Sequence, residues 1–182
     1  MEVDLVTQKN LTGTFKTAHH GQIISPPMDI PACFSRKICV KQTYTRKSCG
    51  AMSRHRGSTG YEKILKELIC LDWATILLDL TYRFIQREMI VYGEPPKGIP
   101  QLRFVRTMLA EAENEQKTFL IEEWVEGTGG FIKYINNGRP VPCVRADAPE
   151  EAHLIAEFLC FAQHVQYNQM CGAAFTSDYQ GL

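Results

Sequence analysis

The sequence has no CxxC pair, no apolar run of membrane-spanning length and no excess of either charge. Its 20 basic and 20 acidic side chains give a formal net charge of zero. Nucleic-acid-binding proteins usually carry a basic excess, so this balance argues against that class. Residues 1–5 contain neither the basic segment nor the apolar core of a secretion signal. We therefore predict no nucleic-acid partner, no membrane partner and an intracellular, cytoplasmic location.

The composition is that of an ordinary globular protein, with 45% apolar and 22% charged residues. A chain of 182 residues is long enough for one domain with a sizeable core. An odd number of cysteines without a secretion signal favours reduced thiols over a disulfide framework. The seven cysteines are Cys33, Cys39, Cys49, Cys70, Cys143, Cys160 and Cys171.

Short segments that alternate apolar and polar residues predict an antiparallel sheet in the first two thirds of the chain. The residues up to 24 favour a hairpin, and a buried strand over 35–41 is followed by a basic loop over 46–60. Two more strands are predicted over 102–109 and 118–125.

Two amphipathic helices complete the predicted α+β fold. The first spans residues 61–89, and the second starts after residues 147–150 and carries His164 near its end. Acidic residues in the first turn are typical of a helix start. The apolar positions of the first helix are Leu65, Ile69, Trp73, Ile76, Leu77, Leu80 and Phe84.

The most informative stretch is residues 178–182, because an acid and an amide lie two positions apart, at Asp178 and Gln180. A short strand over 173–176 would deliver both side chains to the same side of the backbone. A carboxylate there suits metal and phosphate chemistry, with the amide as a ligand or an orienting group. The alternative is an ordinary surface turn.

Other candidate residues each have a structural and a functional interpretation. Lys41 ends a buried strand, where its ammonium group either binds a phosphate or is simply solvated. Residues 13–16 form either a turn that covers a phosphate or a plain hairpin turn. His164 is either a core histidine or a zinc ligand, and zinc would require about three further N or S ligands.

Six segments follow one another along the chain: Gly13-Thr14-Phe15-Lys16-Thr17-Ala18-His19, Val40-Lys41, residues 121–127, Phe131-Ile132-Lys133-Tyr134, Phe161-Ala162-Gln163-His164 and Ser177-Asp178-Tyr179-Gln180-Gly181. In this order they resemble the alpha-type (atypical) protein kinase family, and the resemblance spans most of the chain. The first segment and the sequence Gln-His-Val-Gln-Tyr are especially similar to the expanded set in mushroom-forming fungi.

This resemblance implies a role for each matching residue. Lys41 would bind the ATP phosphates, and Lys16 would replace a family arginine near them. The backbone of Glu122, Glu123, Trp124 and Val125 would hold adenine, and Lys133 would be a further contact in the nucleotide or catalytic cleft. Asp178 would contact the nucleotide and support phosphoryl transfer, Gln180 would lie close to Mg²⁺, and His164 would match the first zinc ligand of the family.

The implied fold is a two-lobed, atypical kinase-like domain over residues 1–182. Residues 1–126 would form the N-lobe and the hinge, and residues 127–182 a partial C-lobe. The implied activity is transfer of the γ-phosphoryl group of ATP to a serine or threonine hydroxyl of a protein, with Mg²⁺ as cofactor. The sequence does not indicate which protein is the substrate.

The sequence also departs from the family pattern. A magnesium-binding aspartate, a histidine-cysteine pair and a final cysteine, which follow the Asp-x-Gln-Gly motif in the family, do not occur in these residues. The resemblance is therefore to a C-terminally truncated member with an incomplete zinc site. The alternative function is a catalytically impaired pseudokinase that acts as a nucleotide-binding interaction module. A third possibility is a small regulator that depends on cysteine or metal.

Overall fold

The computed structural model describes residues 2–5, 11–13, 15–25, 36–95, 97–127 and 130–181. It shows an antiparallel sheet and two α-helices, which confirms the predicted α+β class. The chain divides into two compact units. Unit 1 comprises Met1–Leu71 and Val105–Glu126, and unit 2 comprises Asp72–Phe104 and Gly127–Leu182. The predicted division into an N-lobe with hinge over 1–126 and a partial C-lobe over 127–182 stays a prediction, and residues 72–104 group with unit 2.

Unit 1 is built on an antiparallel sheet. Its strands are β1 (Glu2–Leu5), β2 (Leu11–Thr12), β3 (Lys16–Ser25), β4 (Lys37–Arg46), β5 (Met52–Arg54), β6 (Thr107–Ala112) and β7 (Lys117–Glu123). The hydrogen-bonded order in the described part of the unit is β1-β3-β4-β7-β6, with β2 paired to β3 and β5 paired to β4. Strand β4 therefore lies between β3 and β7.

The two faces of this sheet differ in character, because successive side chains of a strand point to opposite faces. Along β4, Ile38 and Val40 are buried on one face, while Cys39 and Lys41 lie on the other. The apolar face carries the core of unit 1, with Val3, Met108, Ala110 and Phe119 packed around Ile23, Ile38, Val40 and Ile121.

Helix α1 spans Gly57–Tyr92, somewhat longer than the predicted 61–89. It ends at Gly93, whose φ of 80° is the left-handed conformation typical of a residue that terminates a helix. Residues 57–71 of the helix belong to unit 1 and residues 72–92 to unit 2. No helix in the described ranges is both long and apolar enough to cross a membrane.

The predicted burial along α1 is wrong at several positions. Leu77 is buried as expected, but Ile69, Trp73 and Ile76 are about half exposed. The buried stripe lies on a different side of the helix from the predicted one. It contains small and polar residues as well as aliphatic ones, and a prediction from large apolar residues alone does not include them. Its buried side chains are those of Ile64, Ala74, Leu77, Leu78 and Thr81.

Unit 2 contains α2 (Glu150–Gln169) and two small antiparallel sheets. Helix α2 starts after Pro149 with Glu150 and Glu151 in its first turn, as predicted. The sheets pair β9 (Ile135–Asn136) with β10 (Arg139–Pro142) and β8 (Ile132–Lys133) with β11 (Gln180–Gly181). The core of the unit consists of Leu78, Tyr134, Ile135, Ala152, Ala156, Phe158, Leu159 and Tyr179.

Three predicted strands or loops differ from the structure. The predicted strand over 173–176 is wrong, since the strand in this region is β11 and starts only at Gln180. The predicted strand over 102–109 starts at Thr107. The basic loop over 46–60 contains the short strand β5 and the first residues of α1. These boundaries depend on which backbone groups pair with another strand, and the pattern of apolar and polar side chains does not indicate that pairing.

The core of unit 1 generates a stability prediction. Ile38→Ala removes a fully buried side chain and should lower the free energy of unfolding by about 2 to 5 kcal/mol. Ile24→Ala makes the same change in the neighbouring strand, where the side chain is 56% exposed, and should cost less than about 1 kcal/mol. Urea unfolding of both variants gives the comparison. Equal losses would contradict the assignment of the apolar face.

Candidate functional site

The charged face of the unit 1 sheet is one candidate site. Lys16 in β3 pairs in register with Thr43 in β4, and Cys39 in β4 pairs with Glu122 in β7. Lys41 lies two residues from both Cys39 and Thr43 and therefore on the same face. We call these five residues the polar face. Three neighbouring strands thus bring together Lys16, Lys41 and Glu122, which the sequence predicted to act at one nucleotide site.

Lys41 and Glu122 form an ion pair with 2.6 Å between the ammonium nitrogen and the carboxylate oxygen Oε2. The two side chains are only 26% and 11% exposed. A partly buried charge is costly unless a partner compensates it, so each of these groups stabilises the other in the folded protein. The pair fixes the Lys41 ammonium over the middle of the sheet, where an approaching phosphate would compete with the Glu122 carboxylate.

Lys16 forms a second ion pair, with Glu67 of helix α1. Both side chains are partly buried. Because Glu67 lies in the first part of α1, this pair connects the polar face to a helix of the same unit. Two lysines of one sheet face are therefore each held by a glutamate from a different element.

The predicted adenine-binding segment lies at the end of β7, and much of its backbone is already hydrogen-bonded. The Glu123 N–H donates to the Arg106 carbonyl over 3.0 Å, and the Trp124 N–H donates to the Lys37 carbonyl over 3.4 Å. Val125 has no hydrogen-bond partner among the residues that the structure describes. Of the predicted segment, Val125 therefore offers the accessible backbone donor and acceptor.

An aromatic contact and an unsatisfied polar atom mark the same region. The rings of His20 and Trp124 lie 4.4 Å apart between centroids. The His20 Nε2 atom is buried and has no hydrogen-bond partner in the described structure, and the same holds for the Thr43 hydroxyl oxygen. Buried polar groups are normally paired, so unpaired ones indicate positions where a ligand or water can bind.

Unit 2 carries a candidate site of its own, around Asp178. Asp178 forms an ion pair with Lys133, and Gln180 is paired in register with the same lysine across β8 and β11. Asp178 has a φ of 65°, in the left-handed region that is uncommon for a residue other than glycine. Such conformations cost energy and concentrate at functional sites. The predicted extended arrangement of Asp178 and Gln180 is therefore wrong, although both lie beside Lys133.

Two glutamines that the sequence motifs contain, but to which they assigned no role, hold the segment before Asp178. Gln166 is completely buried, and its Oε1 accepts a 2.8 Å hydrogen bond from the Thr176 N–H. Gln163 donates from Nε2 to the Thr176 carbonyl over 2.9 Å. Tyr179 then anchors the other side, since its carbonyl accepts a 2.9 Å bond from the Tyr134 N–H. The sequence signal for this role is the spacing of Gln163 and Gln166, which puts both amides on one face of the helix. Buried amides need hydrogen-bond partners, so this spacing indicates that another segment packs there.

His164 does not join a group of metal ligands in the described ranges. It is exposed, and its Nε2 atom lies 3.0 Å from the Asn168 amide nitrogen one turn further along α2. No cluster of three or more His, Cys, Asp or Glu side chains suited to a metal ion occurs in the part of the chain that the structure describes. The side chains around His164 therefore do not fit a zinc ion.

No protein-family model matches this sequence, and no curated protein matches it either. The site must be interpreted from its own geometry and from the resemblance in its motifs.

The polar face generates a prediction for the reactivity of Cys39. Burial raises the pKa of the Cys39 thiol, the Lys41 ammonium opposes this rise and the Glu122 carboxylate adds to it. Alkylation requires the thiolate, so at any pH below the thiol pKa a higher pKa slows the reaction. Lys41→Met should therefore shift the pH profile of Cys39 alkylation upward, and Glu122→Gln should shift it downward.

Peptide mapping by mass spectrometry separates Cys39 from the other cysteines in this experiment. Cys49 is exposed and serves as an internal reference whose rate should not change in either variant. Shifts of the same sign in both variants would show that the two charges do not act on Cys39 as the register requires.

Proposed function

We infer that this chain binds ATP on the polar face of unit 1 and functions as a protein serine/threonine kinase of the alpha type. In this proposal the domain has the two-lobed, kinase-like organisation that the motif resemblance implies. Lys41 and Lys16 bind the phosphates, Val125 and its neighbours hold adenine, and Asp178 supports transfer of the γ-phosphoryl group to a protein hydroxyl.

The Lys41–Glu122 ion pair is the observation that supports this proposal most directly. Kinase-type catalysis depends on positioning and charge stabilisation, and it requires a lysine on a rigid strand to meet the nucleotide phosphates. Lys41 lies on an interior strand, and a carboxylate 2.6 Å away holds its ammonium group. The motif that carries Lys41 is also among those that resemble the alpha-kinase family.

The side chains around Asp178 fit magnesium only in part. Mg²⁺ is usually bound through one or two carboxylates together with substrate phosphates, and it neutralises phosphate charge when bound. Asp178 supplies one carboxylate, but it is paired with Lys133, and Gln180 supplies an amide oxygen from an exposed position. Magnesium binding by these residues thus requires Asp178 to exchange its lysine partner for the metal.

The Lys133–Asp178 pair also favours a second candidate function, a nucleotide-binding module without phosphoryl transfer. A carboxylate that stays paired with a lysine is not available to a metal or to a substrate hydroxyl. In this alternative, the polar face still binds ATP, and the protein acts as a pseudokinase whose nucleotide regulates an interaction.

ATP binding is testable by tryptophan fluorescence, because the sequence contains only Trp73 and Trp124. In Trp73→Phe protein the signal comes from Trp124 alone, and titration with MgATP should change it. Lys41→Met/Glu122→Gln in this background should weaken ATP binding at least about tenfold, since one phosphate-binding cation is worth more than about 1.4 kcal/mol. The double change removes both partners of this ion pair, so neither of the two charges is left uncompensated.

Lys117→Met/Glu115→Gln provides the matched control, because this lysine lies in the same sheet and also pairs with a glutamate. The control protein should bind ATP as tightly as the parent. Transfer of labelled phosphate to a basic protein substrate, lost in Asp178→Asn while ATP binding is retained, would support the kinase. Binding without transfer supports the pseudokinase, and no ATP binding by the parent protein contradicts both.

A further inference from the structure

A groove with unpaired cations lies at one end of the unit 1 sheet and overlaps the polar face at Lys16 and Thr43. A groove of about 920 Å³ is lined there by the start of β3, the end of β4 and the first part of α1. Lys41 and Glu122 do not line it. Its volume is that of a small-molecule site and well above what one inorganic phosphate would fill.

The charges lining this groove are mainly positive. Arg46 and Lys63 are exposed, and neither has an ion-pair partner within the described ranges. Lys16 also lines the groove, but Glu67 already neutralises it. The groove therefore presents two uncompensated cations, from a strand end and from a helix of the same unit.

A buried hydroxyl without a partner lies at the same place. Thr43 lines the groove and is 6% exposed, yet its Oγ1 atom makes no hydrogen bond to any described residue. Thr43 pairs in register with Lys16, so its side chain is on the sheet face that Lys16 occupies. A hydroxyl can donate to an oxyanion, and leaving it unpaired in the folded protein is costly.

We propose that this groove binds a ligand with a multiply charged phosphate chain through Arg46, Lys63 and the Thr43 hydroxyl. The guanidinium of Arg46 matches the geometry of phosphate oxygens, and the Lys63 ammonium supplies a second charge at another position. Phe15, which is 73% exposed and lines the groove, offers an aromatic surface to any organic group attached to the phosphates. The groove shares Lys16 and Thr43 with the polar face, whereas Arg46, Lys63 and Phe15 belong to the groove alone and Lys41 and Glu122 to the proposed ATP site alone.

Inorganic tripolyphosphate without magnesium is the probe, titrated calorimetrically at about 0.1 M salt so that distant charges are screened. Arg46→Gln/Lys63→Gln should weaken binding at least about tenfold. Lys47→Gln/Lys66→Gln makes the same change of charge at exposed neighbours outside the groove and should change affinity less than about twofold. Equal weakening in both double variants, or no binding by the parent protein, would overturn the proposal.

Thr43→Val separates a ligand-binding role from a structural one. It should weaken tripolyphosphate binding several-fold without lowering the melting temperature of the ligand-free protein, because the hydroxyl bonds to no described residue there. A lower melting temperature with unchanged affinity would overturn the role of Thr43.

Lys41→Met/Glu122→Gln tests whether the groove is independent of the proposed ATP site. This variant should bind tripolyphosphate as tightly as the parent protein, whatever its affinity for ATP. If it loses tripolyphosphate binding as strongly as Arg46→Gln/Lys63→Gln does, the anion lies on the polar face and the separate site is disproved. Failure of ATP binding alone would leave the groove supported.

The source of the phosphate chain is distinguished by ADP without magnesium, titrated into the same Lys41→Met/Glu122→Gln protein. ADP binding that Phe15→Ala weakens, with tripolyphosphate binding unchanged, supports an organic phosphate as the ligand. If Phe15→Ala changes the binding of neither ADP nor tripolyphosphate, the groove recognises the phosphate chain alone.

Discussion

The alternation of side chains along β4 is the constraint on which unit 1 depends. One set of positions supplies Ile38 and Val40 to the core, and the intervening set supplies Cys39, Lys41 and Thr43 to the opposite face. A shift of one residue in the pairing would exchange the two sets and bury the lysine. Core formation and placement of the cationic groups are thus fixed by the same register.

Charge compensation follows from this arrangement. Placing Lys16 and Lys41 on a half-covered sheet face requires carboxylates nearby, and Glu67 and Glu122 meet that need from a helix and a neighbouring strand. The polar face is therefore close to neutral in the free protein. A phosphate-bearing ligand would have to displace or rearrange these carboxylates, so its binding and the local geometry of unit 1 are coupled.

The sequence predicted the elements better than their environment. The period of two around Lys41 and the helical period over 61–89 identified β4 and α1, because local pattern reflects which element forms. The buried stripe of α1 was misplaced, since Ala74 and Thr81 are buried where Ile69 and Trp73 are not. Which side of a helix is covered depends on packing partners distant in sequence.

The candidate site shows the same division. Motif resemblance selected Lys16, Lys41 and Glu122, which the structure brings to one sheet face, but it did not indicate their glutamate–lysine pairing. The left-handed conformation of Asp178 was invisible to the period-two reasoning, because a positive φ has no signal in side-chain spacing. Gln163 and Gln166 occurred in the quoted motifs but received no role, for a related reason. Their partners are the backbone of a loop ten or more residues away.

Helix α1 runs without interruption from Gly57 to Tyr92, although its two parts belong to different units. Isolated helices shorter than about 15 residues are marginal in water, and residues 57–71 are at that limit, so this part owes some of its order to the hydrogen-bond ladder that continues into residues 72–92. Loosening of the unit 2 core, to which Leu78 of α1 belongs, would let the helix fray from Tyr92 towards Gly57. Amide hydrogen exchange of residues 57–71 would then rise with local opening of unit 2.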